Sequence, residues 1–276
     1  MRLNMFGRSW QTNGYRLTTL IAESQPMRLR SSFILLLCLL PALPLHAQDL
    51  AATCHASSSY DVTVNPDSIL FDRSAPAPLR VQLQQGSLRT DGRSVRLSME
   101  DQDRLTLFER DLRALLPRVR AVADHGVDMA VQAMRTEAAG MGLSADTMTE
   151  LDNRLDADAS GLKQRIASSR STRDWDGGAA QQYANQIVAE LTPLVAGDLG
   201  QQAINAALGG DLQTAGALRD RATALATDLQ PRLQRRMQAL RPQIAALCPA
   251  IRRLAELQQG VRGADGRPLD LLQVAP

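Results

Sequence analysis

Aromatic residues, histidine, cysteine and lysine are all scarce in this sequence, and each scarcity narrows what the chain can do. From Gln48 onward the aromatic residues are Tyr60, Phe71, Phe108, Trp175 and Tyr183. A glycosidase would need an aromatic sugar platform that this set barely provides, and Glu109, Glu137, Glu150, Glu190 and Glu256 fall on separate helical stretches with no acid/base spacing. Histidine is confined to His46, His55 and His125. Two histidines beyond the leader and no cysteine cluster argue against structural zinc. A nucleophilic triad needs a base held by a carboxylate and aimed at a nucleophile. Cys54 with His125 is the one thiol pairing, and no nucleophile motif accompanies it. Lys163 is the single lysine, every other cation being arginine. Coding composition accounts for that excess better than phosphate recognition does. Residues 48–276 carry 26 cationic and 28 anionic groups, so no long-range field points to nucleic acid. Gly197, Gly200, Gly209 and Gly210 follow no strand and form no phosphate loop.

What is present begins with a leader. Residues 27–47 read as a secretory signal peptide: a basic Met27-Arg28-Leu29-Arg30, an apolar run from Phe33 to Leu40, and Leu45-His46-Ala47 before a cleavage point after Ala47. The apolar run is shorter than the roughly 20 residues of a spanning helix. The membrane therefore enters only through this segment, before cleavage. Residues 1–26 resemble no leader and read as an upstream start over-call, with an unusually long basic region as the alternative. The expected location is the periplasm.

Removing the leader removes Cys38 and leaves Cys54 and Cys248. An even count in an exported chain argues for a disulfide, the alternative being two buried thiols. Such a bridge would close a long loop and stabilise by about 4–5 kcal/mol in the chain-entropy model.

Residues 48–97 read as a small β-hairpin region. Tyr60–Val64, Ser68–Asp72, Leu79–Leu83, Ser87–Thr90 and Arg93–Leu97 are strand candidates. Asp91-Gly92 suits a type I′ turn, whose two central residues need positive φ. Residues 98–258 read as a helical bundle. Its first helix, Met99 to about Arg135, spaces Leu105, Phe108, Leu112, Leu115, Val119, Val122, Met129 and Ala133 as a heptad seam. Ser98 is its expected N-cap, accepting from the amide of Asp101. Pro117 should kink or split it. Leu112, Leu115 and Val119 are expected to be buried against the chain's own later helices.

A second helix is expected from Ser144 to Ser169, a loop over 170–178 and a third helix over 179–208 interrupted at Pro193 and Gly197. The last helical stretch, Asp211 to Gln258, contains Pro231, Pro242 and Pro249, which should divide it into two or three segments. Residues 259–276 read as a flexible tail in which Leu269–Val274 could add a strand. The fold class is mainly α: an antiparallel helical bundle or coiled-coil hairpins with a small N-terminal antiparallel β element, an α+β chain whose residues 48–258 fold as one domain.

Two clusters carry candidate chemistry. Asp156, Asp158 and Ser160, followed by Gly161, match the first half of an EF-hand loop, but the closing Glu position is Ala167 and a helical stripe runs through the segment. On a helix Asp156 and Asp158 point apart, so a solvated acidic face outweighs calcium binding. Arg232, Arg235, Arg236, Arg241, Arg252 and Arg253 make the last stretch locally basic. That is either a solvated flank or a contact for anionic headgroups or cell-wall polymer.

Cys54, the run Asp61-Val62-Thr63-Val64-Asn65-Pro66, the Asp91-Gly92 hairpin, the run Asp111-Leu112-Arg113-Ala114-Leu115-Leu116-Pro117 and the late Cys248 together resemble the YggN-like family of exported proteobacterial proteins of unknown function. The resemblance covers most of residues 54–254. It implies a periplasmic, helix-rich protein with no catalytic residue to carry over and no cofactor. The expected function is non-enzymatic surface contact with an envelope protein or polymer. The alternatives are a divalent-metal-binding protein or enzyme using the Asp156/Asp158 region, and a homo-oligomeric structural coiled coil.

Overall fold

A computed structural model describes residues 53–175 and 179–275, the side chains of 179–181, 183, 184, 188, 224–234 and 237 excepted. The segments read as upstream over-call and signal peptide lie outside the described residues. Among the described residues the strands are β1 (Ala56–Ser57), β2 (Asp61–Val64), β3 (Ile69–Asp72), β4 (Arg80–Gln84), β5 (Ser87–Thr90), β6 (Arg93–Ser94) and β7 (Gln273–Val274). Six helices accompany them: α1 (Met99–Ala139), α2 (Ala145–Ser168), α3 (Ala179–Leu208), α4 (Leu212–Met237), α5 (Arg241–Ala245) and α6 (Cys248–Leu257). Short 3₁₀ turns lie at Thr172–Trp175 and Gln238–Leu240. The chain is α+β.

The sheet is larger than the small hairpin element expected from sequence. Strands β2 to β6 form a five-stranded antiparallel meander, and β1 pairs separately with β7. Alternation decides its inner face. Val62 lies opposite Phe71, Ile69 opposite Leu83, and Leu83 opposite Leu88. This face packs on α1 through Leu105, Phe108 and Leu115 and on α6 through Ile251 and Leu254, in one apolar cluster. Tyr60, Phe71 and Phe108 run through it with ring centroids 6.2 and 6.1 Å apart. Leu115 is buried here, and Leu112 and Val119 are partly buried, so the seam of α1 meets the sheet as well as the later helices.

Local signals placed the helix starts. The Ser98 hydroxyl accepts from the amide of Asp101, and the Ser144 hydroxyl accepts from that of Thr147. Asp91 and Gly92 both have positive φ, as a type I′ turn requires. Of the kink or split expected at Pro117 the split does not occur, and the interruption expected at Pro193 and Gly197 is absent. Helix α1 continues through Pro117, and α3 continues through Pro193 and Gly197. A proline removes one backbone hydrogen bond, and the buried side chains on both sides of Pro117 hold the helix together across that gap. The final stretch divides as expected at Pro242 and Pro249, which stand in the first turns of α5 and α6, but α4 runs on through Pro231.

The expected flexible tail is packed. Val261, Leu269 and Leu271 are fully buried, and β7 pairs with β1 rather than with the main sheet. The buried Gln258 holds the tail: its Oε1 accepts from the amides of Leu271 at 2.7 Å and Leu272 at 3.2 Å, and its Nε2 donates to the Leu272 carbonyl. The outer edge of β2, a site open to aggregation in an unpaired strand, is covered by residues 170–172. The Val64 amide donates to the Arg170 carbonyl at 2.8 Å, and the Val62 amide donates to the Thr172 hydroxyl at 2.9 Å.

The turn between β4 and β5 joins sheet to helix. Gln85 and Gly86 both have positive φ. The buried carboxylate of Glu109 on α1 accepts from their amides at 3.2 and 3.0 Å. A Cβ on Gly86 would lie 2.8 Å from the Gln102 carbonyl and would overlap the Thr106 hydroxyl. Gly86→Ala is therefore expected to cost about 2–4 kcal/mol from left-handed backbone strain and forced displacement. Urea denaturation checks this; a cost below about 1 kcal/mol would mean the turn is not held against α1.

Candidate functional site

Helices α1 and α2 enclose an open groove of about 470 Å³ lined by His125, Asp128, Gln132, Arg135, Asp156, Ser160 and Lys163. It gathers a histidine, carboxylates and two cations, so its pairing decides what it can do. Arg135 places Nε 2.9 Å from Asp152 and Nη2 2.8 Å from Asp156. Lys163 Nζ lies 2.5 Å from Asp128. The cations and carboxylates neutralise one another across the two helices. His125, Asp128, Asp156 and Ser160 are all exposed, and among the described residues no carboxylate hydrogen bond orients the imidazole. The groove has the ingredients of a triad without its geometry. Solvent-exposed pairs of this kind contribute about 0–1 kcal/mol each.

The EF-hand-like run is not a loop. Residues 156–161 lie inside α2. Asp156 turns to Arg135 on α1, whereas Asp158 is raised above the usual carboxylate range, by burial first and then by the charge of Glu190 on α3, with Arg154 opposing. The two carboxylates serve different helix interfaces. Among the described residues no three His, Cys, Asp or Glu side chains are grouped closely enough to hold a metal ion.

The basic stretch is also divided. Arg253 pairs with Asp111 at 2.8 Å and Arg236 with Glu137 at 3.1 Å. Arg235, Arg241 and Arg252 are exposed, and the Arg232 side chain lies outside what is described. Arg252 lines a second groove of about 470 Å³ beside Glu256, Gln259, Leu272 and Val274. Cys54 and Cys248 form a disulfide with Cα atoms 5.1 Å apart, which removes the thiol from any Cys54/His125 chemistry.

Two carboxylates that the sequence did not single out organise the helix connections. Asp198 on α3 accepts from the Ser144 amide at 2.9 Å, the Ser144 hydroxyl at 2.7 Å and Gln202 Nε2 at 2.7 Å. Asp174 accepts from the Ser171 and Arg170 amides and the Ser169 hydroxyl, each at 3.1 Å. Their signal is invisible locally for Asp198, whose partner lies 54 residues away. For Asp174 it is an ordinary Asx-type turn in a Ser/Thr-rich segment.

Residues 54–269 match a family described as proteins of unknown function, DUF2884. The chain belongs to this family. The DUF2884 match opens at Cys54 and closes at the buried Leu269, so it takes in Cys54 and Cys248, the five-stranded sheet and helices α1 to α6. No curated protein and no solved structure matches the chain.

The two organising carboxylates set an acid limit. Burial pushes Asp198 upward, but the hydrogen bonds from Ser144 and Gln202 outweigh it and hold the group below its usual range. The Ser171 amide leads the donors that lower Asp174, again against burial. Groups depressed on folding contribute stability that is complete above their unfolded value of about 4 and is lost as pH falls through the folded value. The thermal midpoint should be level between pH 7 and 5 and fall below about pH 4. Trp175, whose indole donates to the Ser169 hydroxyl at 2.9 Å, reports the Asp174 part by fluorescence. Asp174→Asn and Asp198→Asn should each lower the plateau and flatten the acid slope; unchanged profiles in both would refute the assignment.

Proposed function

We propose that this is an exported, non-enzymatic protein of the periplasm that acts by surface contact with another envelope protein or an envelope polymer. In this reading residues 27–47 are a signal peptide cleaved after Ala47, and residues 98–258 pack as an antiparallel helical bundle. The disulfide supports an oxidising compartment. No helix among the described residues is long and apolar enough to cross a membrane.

One observation carries the contact reading. At the far end of the α3–α4 hairpin Ile204, Leu208 and Leu212 are 55, 83 and 73 % exposed. The cluster that anchors the hairpin, Val195, Leu199 and Leu218 against Met141 and Leu143, ends before them. The hairpin thus runs beyond its own support, about 7.5 Å from Ala203 to Leu208 at 1.5 Å per residue. Burying each such side chain is worth about 1.5–3 kcal/mol, which makes the exposed cluster a surface for association.

The turn itself is well formed. Gly209, Gly210 and Asp211 donate their amides to the Asn205, Ala207 and Ala206 carbonyls, and Asp211 caps α4 by accepting from the Thr214 amide at 2.9 Å. A rigid apolar end suits docking better than a frayed one. A photo-crosslinking residue at Leu212 should capture a discrete adduct in intact cells, whereas the same residue at His125 in the α1–α2 groove should not. Absence of any adduct from Leu212 would sink the contact reading.

A further inference from the structure

We propose that the solvent-facing side of α3 is the contact face of a homodimer, in which Ile204 and Leu208 of one copy seat against Gly200 and Gly197 of the other. The proposal rests on the reading of this hairpin as a contact surface and names its partner as a second copy of this chain.

Gly197, Gly200, Ile204 and Leu208 recur at i, i+3, i+7 and i+11, which places them on one face of α3. All four are exposed, while Val195 and Leu199 on the other side are buried against Leu218. The two glycines have no role in the chain's own packing. A Cβ built on Gly197 or Gly200 meets nothing within 4 Å. Each nevertheless costs a helix interior about 1 kcal/mol relative to alanine. Two unfilled gaps are therefore followed by two large aliphatic side chains along one uncovered face.

Their order selects the arrangement. In a parallel pair, side chain would meet side chain and gap would meet gap. In an antiparallel pair about a two-fold axis near Gln202, Ile204 falls opposite Gly200, and Leu208 falls within one residue, about 1.5 Å of helix rise, of Gly197. A two-fold interface needs this reciprocity, residue i meeting j while j meets i. The glycines also let the helix backbones approach closely.

Charge does not oppose the pairing. Between Glu190 and Asp211 the only ionisable residue is Asp198, and its carboxylate is held by Ser144 and Gln202. Leu212 and Gly216, one turn apart on α4, are exposed as well. With three aliphatic side chains on each copy, the contact falls short of the roughly 800 Å² per partner of a standard interface. The dimer is accordingly weak, with dissociation in the micromolar range.

Sedimentation velocity on the purified mature protein, disulfide intact, from about 1 to about 500 μM tests this. Wild type should pass reversibly from monomer to dimer. Leu208→Glu and Gly200→Leu should each raise the dissociation constant at least tenfold, and Asp128→Asn in the α1–α2 groove should leave it unchanged. Gly200→Leu replaces glycine by a better helix former, so a retained thermal midpoint separates lost dimer from lost fold. A monomer at every concentration, or a dimer indifferent to both variants, overturns the proposal. A monomer that still crosslinks from Leu212 to a different protein overturns the dimer and leaves the contact reading intact; a monomer without adducts removes both.

Discussion

The structure depends on guanidinium groups of α1 that reach carbonyls at the ends of other elements. Arg104 donates to the Glu256 and Gln259 carbonyls at the end of α6, and Arg118 donates to the Ala246 carbonyl at the end of α5, at 3.0 Å. Arg120 donates to the Ser169 carbonyl that closes α2, and Arg113 donates to the Asn65 carbonyl in the β2–β3 turn at 2.6 Å. Helix C-termini leave carbonyls without intrahelical partners and carry partial negative charge. A charged donor answers both needs at once. Helix α1 is long enough, at 41 residues, to serve elements at several levels.

Traffic also runs the other way. Glu109 on α1 receives the two amides of the β4–β5 turn, and Asp111 receives Arg253 from α6. The sheet is thus gripped at its turn by a carboxylate and along its inner face by Leu105, Phe108 and Leu115. Three of the few aromatic rings sit at this junction. A chain poor in aromatics concentrates them where sheet meets helix and builds the remaining interfaces from leucine, valine and alanine.

What the sequence revealed were features decided within a few residues. Ser98, Ser144 and Asp91-Gly92 act on their own neighbours, and hydrophobic spacing places the helices they begin. The disulfide was legible from cysteine parity and the export expected of the chain. Features decided by distant partners were not. Gln85-Gly86 is a turn because Glu109 and the backbone at Gln102 require it. Gln258 reads as an ordinary polar residue, yet it fixes the tail that composition suggested would be loose. Pro117 and Pro193 have the local chemistry of breaks, and packing overrides it. That Asp156 and Asp158 point apart follows from helix geometry, but the neighbours they meet, Arg135 and Glu190, lie on other helices and leave no local signal.

The covalent link between Cys54 and Cys248, together with the pairing of β1 with β7, turns the described chain into a ring fastened where it begins and ends. A protease that severs the α3–α4 turn, or any peptide bond between the two cysteines, opens that ring without releasing a fragment. Both pieces stay tethered beside the sheet, and rejoining them is an intramolecular event. Tension applied through the two ends of this segment is borne by a sulfur–sulfur bond rather than by helix packing. The helices could be cut once or pulled without the protein coming apart.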